Sequence, residues 1–261
     1  VKRKLVGGRM EKKYWVPALE KADVVLQAIS LQPSKLKLID LSKQLGINKS
    51  SMFSLLNTME ALEWVVRESE ATYSLGSKLG FIGNVYFKQF SLIDRFRKEA
   101  SVTKHTIQET IQLAKLEQCE VLYLAKEEMP APVRLASEPG MKLPAHATAL
   151  GKVMLANLDP AMVESLYPDE ELRQGLTLHT IKSRSELLKQ LAAIRNEGYA
   201  SDLQEAVMGF CCVAAPVRDT QGNVVAAISC SMFQHEWEQK RERARQEICA
   251  LAERLSQGTC N

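Results

Sequence analysis

The stretch 38–62 constrains the fold more than any other: two short apolar stripes at helical spacing lie too close together for their segments to run on in line. Leu38, Leu41, Ser42 and Leu45 mark about two turns, and Gly46 follows where a helix closes in a left-handed residue. Asn48 then caps a third helix, in which Met52, Leu55, Leu56, Met59 and Leu62 define the buried stripe. Helices joined so tightly must cross steeply. Upstream, Pro17 opens a first helix with Leu19, Ala22, Val25, Leu26 and Ile29 toward the core, and Pro33 lies beyond its end.

The other side of the third helix is small and polar. Lys49, Ser50, Phe53, Ser54 and Asn57 face outward, with Lys49 at the positive end of the helix. Lysine suits phosphate or guanine, serine suits phosphate or base edges, asparagine bonds adenine bidentately, and an aromatic ring meets a thymine methyl. Next, Trp64-Val65-Val66-Arg67 and Ala71-Thr72-Tyr73-Ser74-Leu75 are β-prone runs about the polar turn Glu68-Ser69-Glu70, which reads as a wing. Arg67 and Lys78 flank it and suit phosphates, whereas Glu68 and Glu70 at the tip repel them. A winged helix can also turn this face to a protein partner; the salt dependence of DNA binding separates the two readings.

Charge favours DNA at this end. Residues 1–90 hold 14 Lys and Arg against 8 Asp and Glu, while the other 171 hold 20 against 23. At 261 residues, 46% hydrophobic and 25% charged, the chain has core enough for two modest domains. No window approaches the roughly 18 apolar residues of a membrane span, and residues 1–14 lack a signal peptide's apolar run, so a cytoplasmic protein with no membrane partner is expected. Cys119, Cys211, Cys212, Cys230, Cys249 and Cys260 show no CxxC pair, which fits reduced thiols. His105, His146, His179 and His235 lack ligand spacing, so no metal or cofactor is expected.

In the second half, residues 79–90 suit a connecting helix, and a further helix is expected from about Leu92 to Leu116, with Thr110 to Leu116 also β-prone. Glu120 to Ala125 and Val133 to Ala136 read as strands. Cys211 to Val217 and Asn223 to Ser231 form a hairpin across Asp219-Thr220-Gln221-Gly222. Ser183 caps a helix that buries Leu187, Leu188, Leu191 and Ile194 and stops at Gly198. A last helix, about His235 to Leu255, carries the stripe Ile248, Leu251, Ala252 and Leu255, which suits packing on its own domain first and an oligomer contact second. The mixture is α+β. A helix starting near Ala147 aims free amides at Leu143 to His146, which favours a carboxylate or phosphate; small residues there equally suit packing on a sheet.

With these elements in place the chain resembles the IclR family of bacterial regulators. The DNA half carries Asp40-Leu41-Ser42-x-x-Leu45-Gly46, Lys49-Ser50-Ser51 and Tyr73-x-Leu75-Gly76-x-Lys78-Leu79. More specific is Gly140-Met141-Lys142-Leu143-Pro144-Ala145-His146-Ala147-Thr148-Ala149-Leu150-Gly151-Lys152-Val153-Met154-Leu155-Ala156. Gly198-Tyr199-Ala200-x-Asp202-x-x-Glu205, Gly209-x-Cys211-Cys212-Val213-Ala214-Ala215-Pro216-Val217 and Gly222-x-Val224-Val225-Ala226-Ala227-Ile228-Ser229-x-Ser231 complete it. Ser54 stands where the family has an arginine, Glu63 where it has a glycine, and Ile39 where it has a small cap.

The resemblance implies a winged helix-turn-helix, a linker helix and a GAF-like domain with a mainly antiparallel sheet flanked by helices, divided as an arm at 1–16, then 17–77, 78–91 and 92–258. It adds Ser51 and Tyr73 to the DNA contacts. It also implies an effector pocket of Ala147, Thr148, Ala149, Leu150, Gly151, Asp202, Cys212, Ser229 and Ser231. Ser229 and Ser231 alternate on one strand, so both hydroxyls face one side. The expected function is transcriptional regulation: a homodimer, or a dimer of dimers, on a palindromic double-stranded DNA operator, modulated by a small carboxylate. The rival from another class is a cysteine enzyme using Cys230, His146 and Asp202, which lack any flanking motif of that chemistry.

Overall fold

The computed structural model describes residues 16–88, 91–130, 135, 137–172 and 175–257. Residues 1–15 of the expected arm, the strand expected at Val133 to Ala136 and Cys260 fall outside these, apart from Leu135. The chain divides at residues 89–90 into two compact units.

The first unit contains α1 (Pro17–Leu31), α2 (Leu38–Leu45), α3 (Lys49–Ala61), the hairpin of β1 (Val65–Arg67) and β2 (Tyr73–Leu75), and α4 (Ser77–Lys88). Val25, Ile29, Leu41, Met52, Leu56, Met59 and Val65 form its core. The apolar stripes land as expected except at their ends, where Leu19 is 61% and Leu62 49% exposed. Leu19 sits in the first turn of α1 and Leu62 is the C-cap of α3, so both overhang the core.

Local signals set the helix limits. Gly46 closes α2 with φ of 64°, and Asn48 Oδ1 accepts the Ser51 amide at 2.8 Å to open α3. The start of α2 differs from expectation: the cap is Lys37, whose N–H donates to Asp40 Oδ2 at 3.0 Å, and Ile39 lies exposed within the first turn. At the end of α3, Glu63 takes φ of 60°; its N–H reaches Glu60 O and the Trp64 N–H reaches Met59 O. This is the paired C-terminal closure in which glycine is favoured. A β-carbon on Gly76 would lie 2.1 Å from Glu63 O, so the chain after the wing presses directly on that closure.

The second unit starts with α5 (Ser91–Ile107) and β3 (Thr110–Glu117). The helix expected to reach Leu116 thus ends nine residues earlier, at Ile107, where Gln108 follows with φ of 57°, and Thr110 to Leu116 is strand. β4 (Glu120–Glu127), β5 (Lys142–Pro144), α6 (Ala149–Leu155), α7 (Pro160–Leu166), α8 (Arg184–Glu197), β6 (Ala200–Leu203), β7 (Phe210–Arg218), β8 (Val224–Phe233) and α9 (Trp237–Ser256) follow. Ser183 caps α8 and Gly198 ends it with φ of 79°. Asp219 Oδ1 gathers the amides of Gln221 and Asn223, and Gly222 takes φ of 88°, closing the expected hairpin.

The six strands order as β5-β4-β3-β8-β7-β6, every neighbouring pair antiparallel. Three-residue β5 and four-residue β6 form its margins. Helices α5 and α9 pack together, with α5 against β3 and β4 and α9 against β7 and β8; α6 packs against β3, β6, β7 and β8. Ala114, Ala200, Ala214 and Ala227 are buried with α6, and such small side chains let it approach the sheet closely. Among the described residues no helix is long and apolar enough to cross a membrane, and no group of three or more His, Cys, Asp or Glu could hold a metal ion.

Candidate DNA-binding face and effector pocket

Because Met52, Leu56 and Met59 are pinned in the core, α3 must turn Lys49, Ser50, Phe53, Ser54 and Asn57 to solvent, and all five are exposed. Phe53 is 53% exposed, an unfavourable position for a large ring unless something covers it. The Ser50 hydroxyl donates to Asn48 Oδ1 at 2.9 Å, which leaves its lone pairs outward. Ser51 is half-buried and turns toward α1, where Ala18 and Lys21 line a groove with Ser50, Ser51 and Ser54. Lys21 was not among the expected contacts; its signal is a basic residue in the early turns of the first helix.

On the wing, Arg67 and Lys78 are exposed, and Glu68 at the tip accepts a hydrogen bond from Ser74. Tyr73 is a correction. It is only 4% exposed and belongs to the core, where burial raises its hydroxyl's pKa, so its contribution is to hold the wing and not to reach a groove.

In the second unit, register aligns two polar rows on the α6 side of the sheet. Asp202 pairs with Cys212, Cys212 with Ser231 and Ser231 with Thr110; in the next row Ala200, Ala214, Ser229, Gln112 and Lys126 are successive partners. The Ser229 and Ser231 hydroxyls donate to Gln112 Oε1 at 3.1 and 3.4 Å, and Cys212 Sγ lies 3.2 Å from Ser231 Oγ. The four residues expected from Asp202 to Ser231 therefore share one face. The Cys212 thiol is pushed well above its usual pKa by burial, then by the Asp202 charge, so it is an inert wall.

Asp202 Oδ1 accepts the amides of Glu205 at 2.6 Å and Ala206 at 3.4 Å. Burial outweighs these bonds, and with the nearby Glu205 charge it pushes the Asp202 carboxyl up to about 7. Lys152 is buried within α6 and donates to Glu205 Oε1 at 2.6 Å and Gln190 Oε1 at 3.3 Å. Thr177 and Thr180 clasp the Glu205 carbonyl. Sequence reading missed Gln112, Lys152 and Glu205 as site residues; the available signal was a glutamine or lysine inside an otherwise apolar run.

The start of α6 is corrected. Residues 145–147 form a 3-10 turn, the helix begins at Ala149, and Thr148 caps it by accepting the Gly151 amide at 2.9 Å. A β-carbon on Gly151 would lie 2.1 Å from Ala145 O, and Ala147, Thr148, Ala149, Leu150 and Gly151 are all buried. Close packing explains these small residues, in place of an open ring of amides. The imagined enzyme triad is also undone: Cys230 lies between Ser229 and Ser231 on β8, so it faces the opposite side of the sheet from Asp202, fully buried with its pKa raised by desolvation.

A helix-turn-helix with a solvent-facing polar third helix and a flanking wing, on a chain with a separate sheet domain, defines a DNA-binding transcriptional regulator. A model described as IclR helix-turn-helix domain matches residues 18–69, and one described as Bacterial transcriptional regulator IclR C-terminal matches residues 86–257. The HTH-type transcriptional regulator KdgR of Dickeya chrysanthemi is 34% identical over 208 residues, covering 79% of this chain and 68% of that protein. The crystal structure of Thermotoga maritima IclR aligns at a TM-score of 0.78 and 26% identity, covering 92% of this chain and 98% of that one. An IclR homologue from Microbacterium hydrocarbonoxydans, complexed with 4-hydroxybenzoate, shares the fold at a TM-score of 0.73 and 21% identity, covering 93% and 100%. The chain belongs to the IclR family of bacterial transcriptional regulators, whose members are regulators and not enzymes.

Proposed function

We propose that this regulator binds a palindromic operator as a homodimer, or as a dimer of dimers, and that a small carboxylate bound on the C-terminal sheet modulates that binding. The observation that carries the DNA half is the exposed stripe of Lys49, Ser50, Phe53, Ser54 and Asn57 beside the wing residues Arg67 and Lys78. Two such stripes enter successive major grooves about 34 Å apart, which calls for a two-fold dimer. In this reading the chain divides into 17–77, 78–91 and 92–258, with α4 as the linker helix. Phe81, Ile82 and Val85 on α4 are 65%, 51% and 44% exposed, a surface that suits helix pairing between protomers.

The ligand half rests on Asp202, Cys212, Ser229 and Ser231 facing one side of the sheet. The 4-hydroxybenzoate carried by a protein of the same fold supports a small acid as the effector. Coupling requires the ligand to prefer one DNA-binding arrangement, a difference typically worth about 1–3 kcal/mol. The test measures operator affinity by fluorescence anisotropy from 50 to 200 mM salt, with and without each acid that raises the melting temperature in a carboxylic-acid screen. Affinity should fall about 10³-fold over that range if some six phosphates are contacted. A flat salt response would point to a protein partner, and acids that stabilise the protein without shifting operator affinity would remove the regulatory link.

A further inference from the structure

We infer that Gln112 selects the oxygen chemistry of the effector: its carboxamide N–H donates to a carbonyl or carboxylate oxygen of the bound molecule. This rests on the effector-pocket reading above. Gln112 stands mid-strand on β3, 1% exposed. Its Oε1 receives both serine hydroxyls, while Nε2 is shut from water with no hydrogen-bond partner among the described residues. A buried N–H without an acceptor is unfavourable, and the native state keeps one where something else completes it.

Gln112 is among the residues lining a cavity of about 50 Å³, with Thr110, Lys126, Glu128 and Ser231. The space is several times what one water needs, enough for the head group of a small acid. Lys126 on the adjacent strand already pairs with Glu128 at 3.2 Å and Glu138 at 2.5 Å, and Glu109 pairs with Lys240 at 2.6 Å. With those charges engaged, the Gln112 carboxamide is a buried donor without an acceptor among the described residues, and it favours a ligand atom that brings lone pairs and no hydrogen. An amine in the same place would set N–H against N–H.

The test uses the full chain and isothermal titration with benzoate and pyruvate, against benzylamine and isopropylamine. Gln112→Glu keeps an acceptor for both serines and removes the N–H; Gln112→Met removes both ends and replaces it as the probe if the glutamate variant misfolds. Far-UV circular dichroism and melting temperature report folding. At least one acid should bind the wild type, neither amine should match it, and the folded variant should weaken that acid by about 10- to 100-fold. Unchanged acid affinity in the folded variant, or an amine binding as tightly as the acid, overturns the role of Gln112 and leaves the pocket standing. Binding by none of the four probes overturns the pocket reading and this inference with it.

Discussion

Replacing Asp202 by asparagine should change the pH dependence of stability in a direction fixed by the structure. The side chain is 2% exposed, its carboxyl is pushed up to about 7 by burial and then by Glu205, and Lys152 and two backbone amides only partly offset this. A carboxyl holding its proton more tightly when folded favours the native state at low pH. That contribution is lost as pH rises from the ordinary 3.8 through about 7, and the loss is complete above it. At about 1.36 kcal/mol per pKa unit the full loss is of the order of 4 kcal/mol, with about 2–3 kcal/mol of it falling between pH 5 and 8. Asparagine keeps the Oδ1 that receives Glu205 and Ala206 but does not titrate in this range. The variant's stability advantage over wild type should therefore widen by about 2–3 kcal/mol from pH 5 to 8, or about 5–10 °C in the melting of a unit this size. Scanning calorimetry resolves the transition of the C-terminal unit. A gap between variant and wild type that stays constant with pH would refute the argument, whatever its absolute size.

Glu63→Gly should raise the stability of the N-terminal unit by about 1 kcal/mol, because a side chain at φ of 60° is strained and glycine is not; an unchanged denaturation midpoint would count against strain there. Lys152→Met should cost about 3–5 kcal/mol by leaving Glu205 buried without its cation, and a double variant with Glu205→Leu should recover much of that loss in urea unfolding. Lys49→Ala should weaken binding to all duplexes, whereas Asn57→Ala should cost about 1–3 kcal/mol at one base position; binding to a set of single-base operator variants distinguishes them.

Where the chain announces its own geometry locally, the sequence was readable. Gly46, Asn48, Ser183, Gly198 and the Asp219 to Gly222 turn each solve a backbone problem within a few residues, and each behaves as read. The end of α5 was hidden because Gln108, not a glycine, adopts the left-handed conformation. Tyr73 was misplaced because the resemblance that put it among the DNA contacts does not say which face of a three-residue strand the core takes. Gln112, Lys152 and Glu205 were invisible as a group: Gln112 meets Ser229 from 117 positions away and Lys152 meets Glu205 from 53, so only the assembled sheet and α6 bring them together.

The sheet's outer margins have a consequence for assembly. A bare strand edge recruits other chains through main-chain pairing, with little regard to what they are. Here one margin is a ribbon of four residues and the other of three, the latter extended by loop bonds between Tyr123 and residues 140 and 141. Among the described residues so little edge backbone is on offer that any pairing of copies would have to be written in side chains, a vocabulary that substitution can revise one residue at a time.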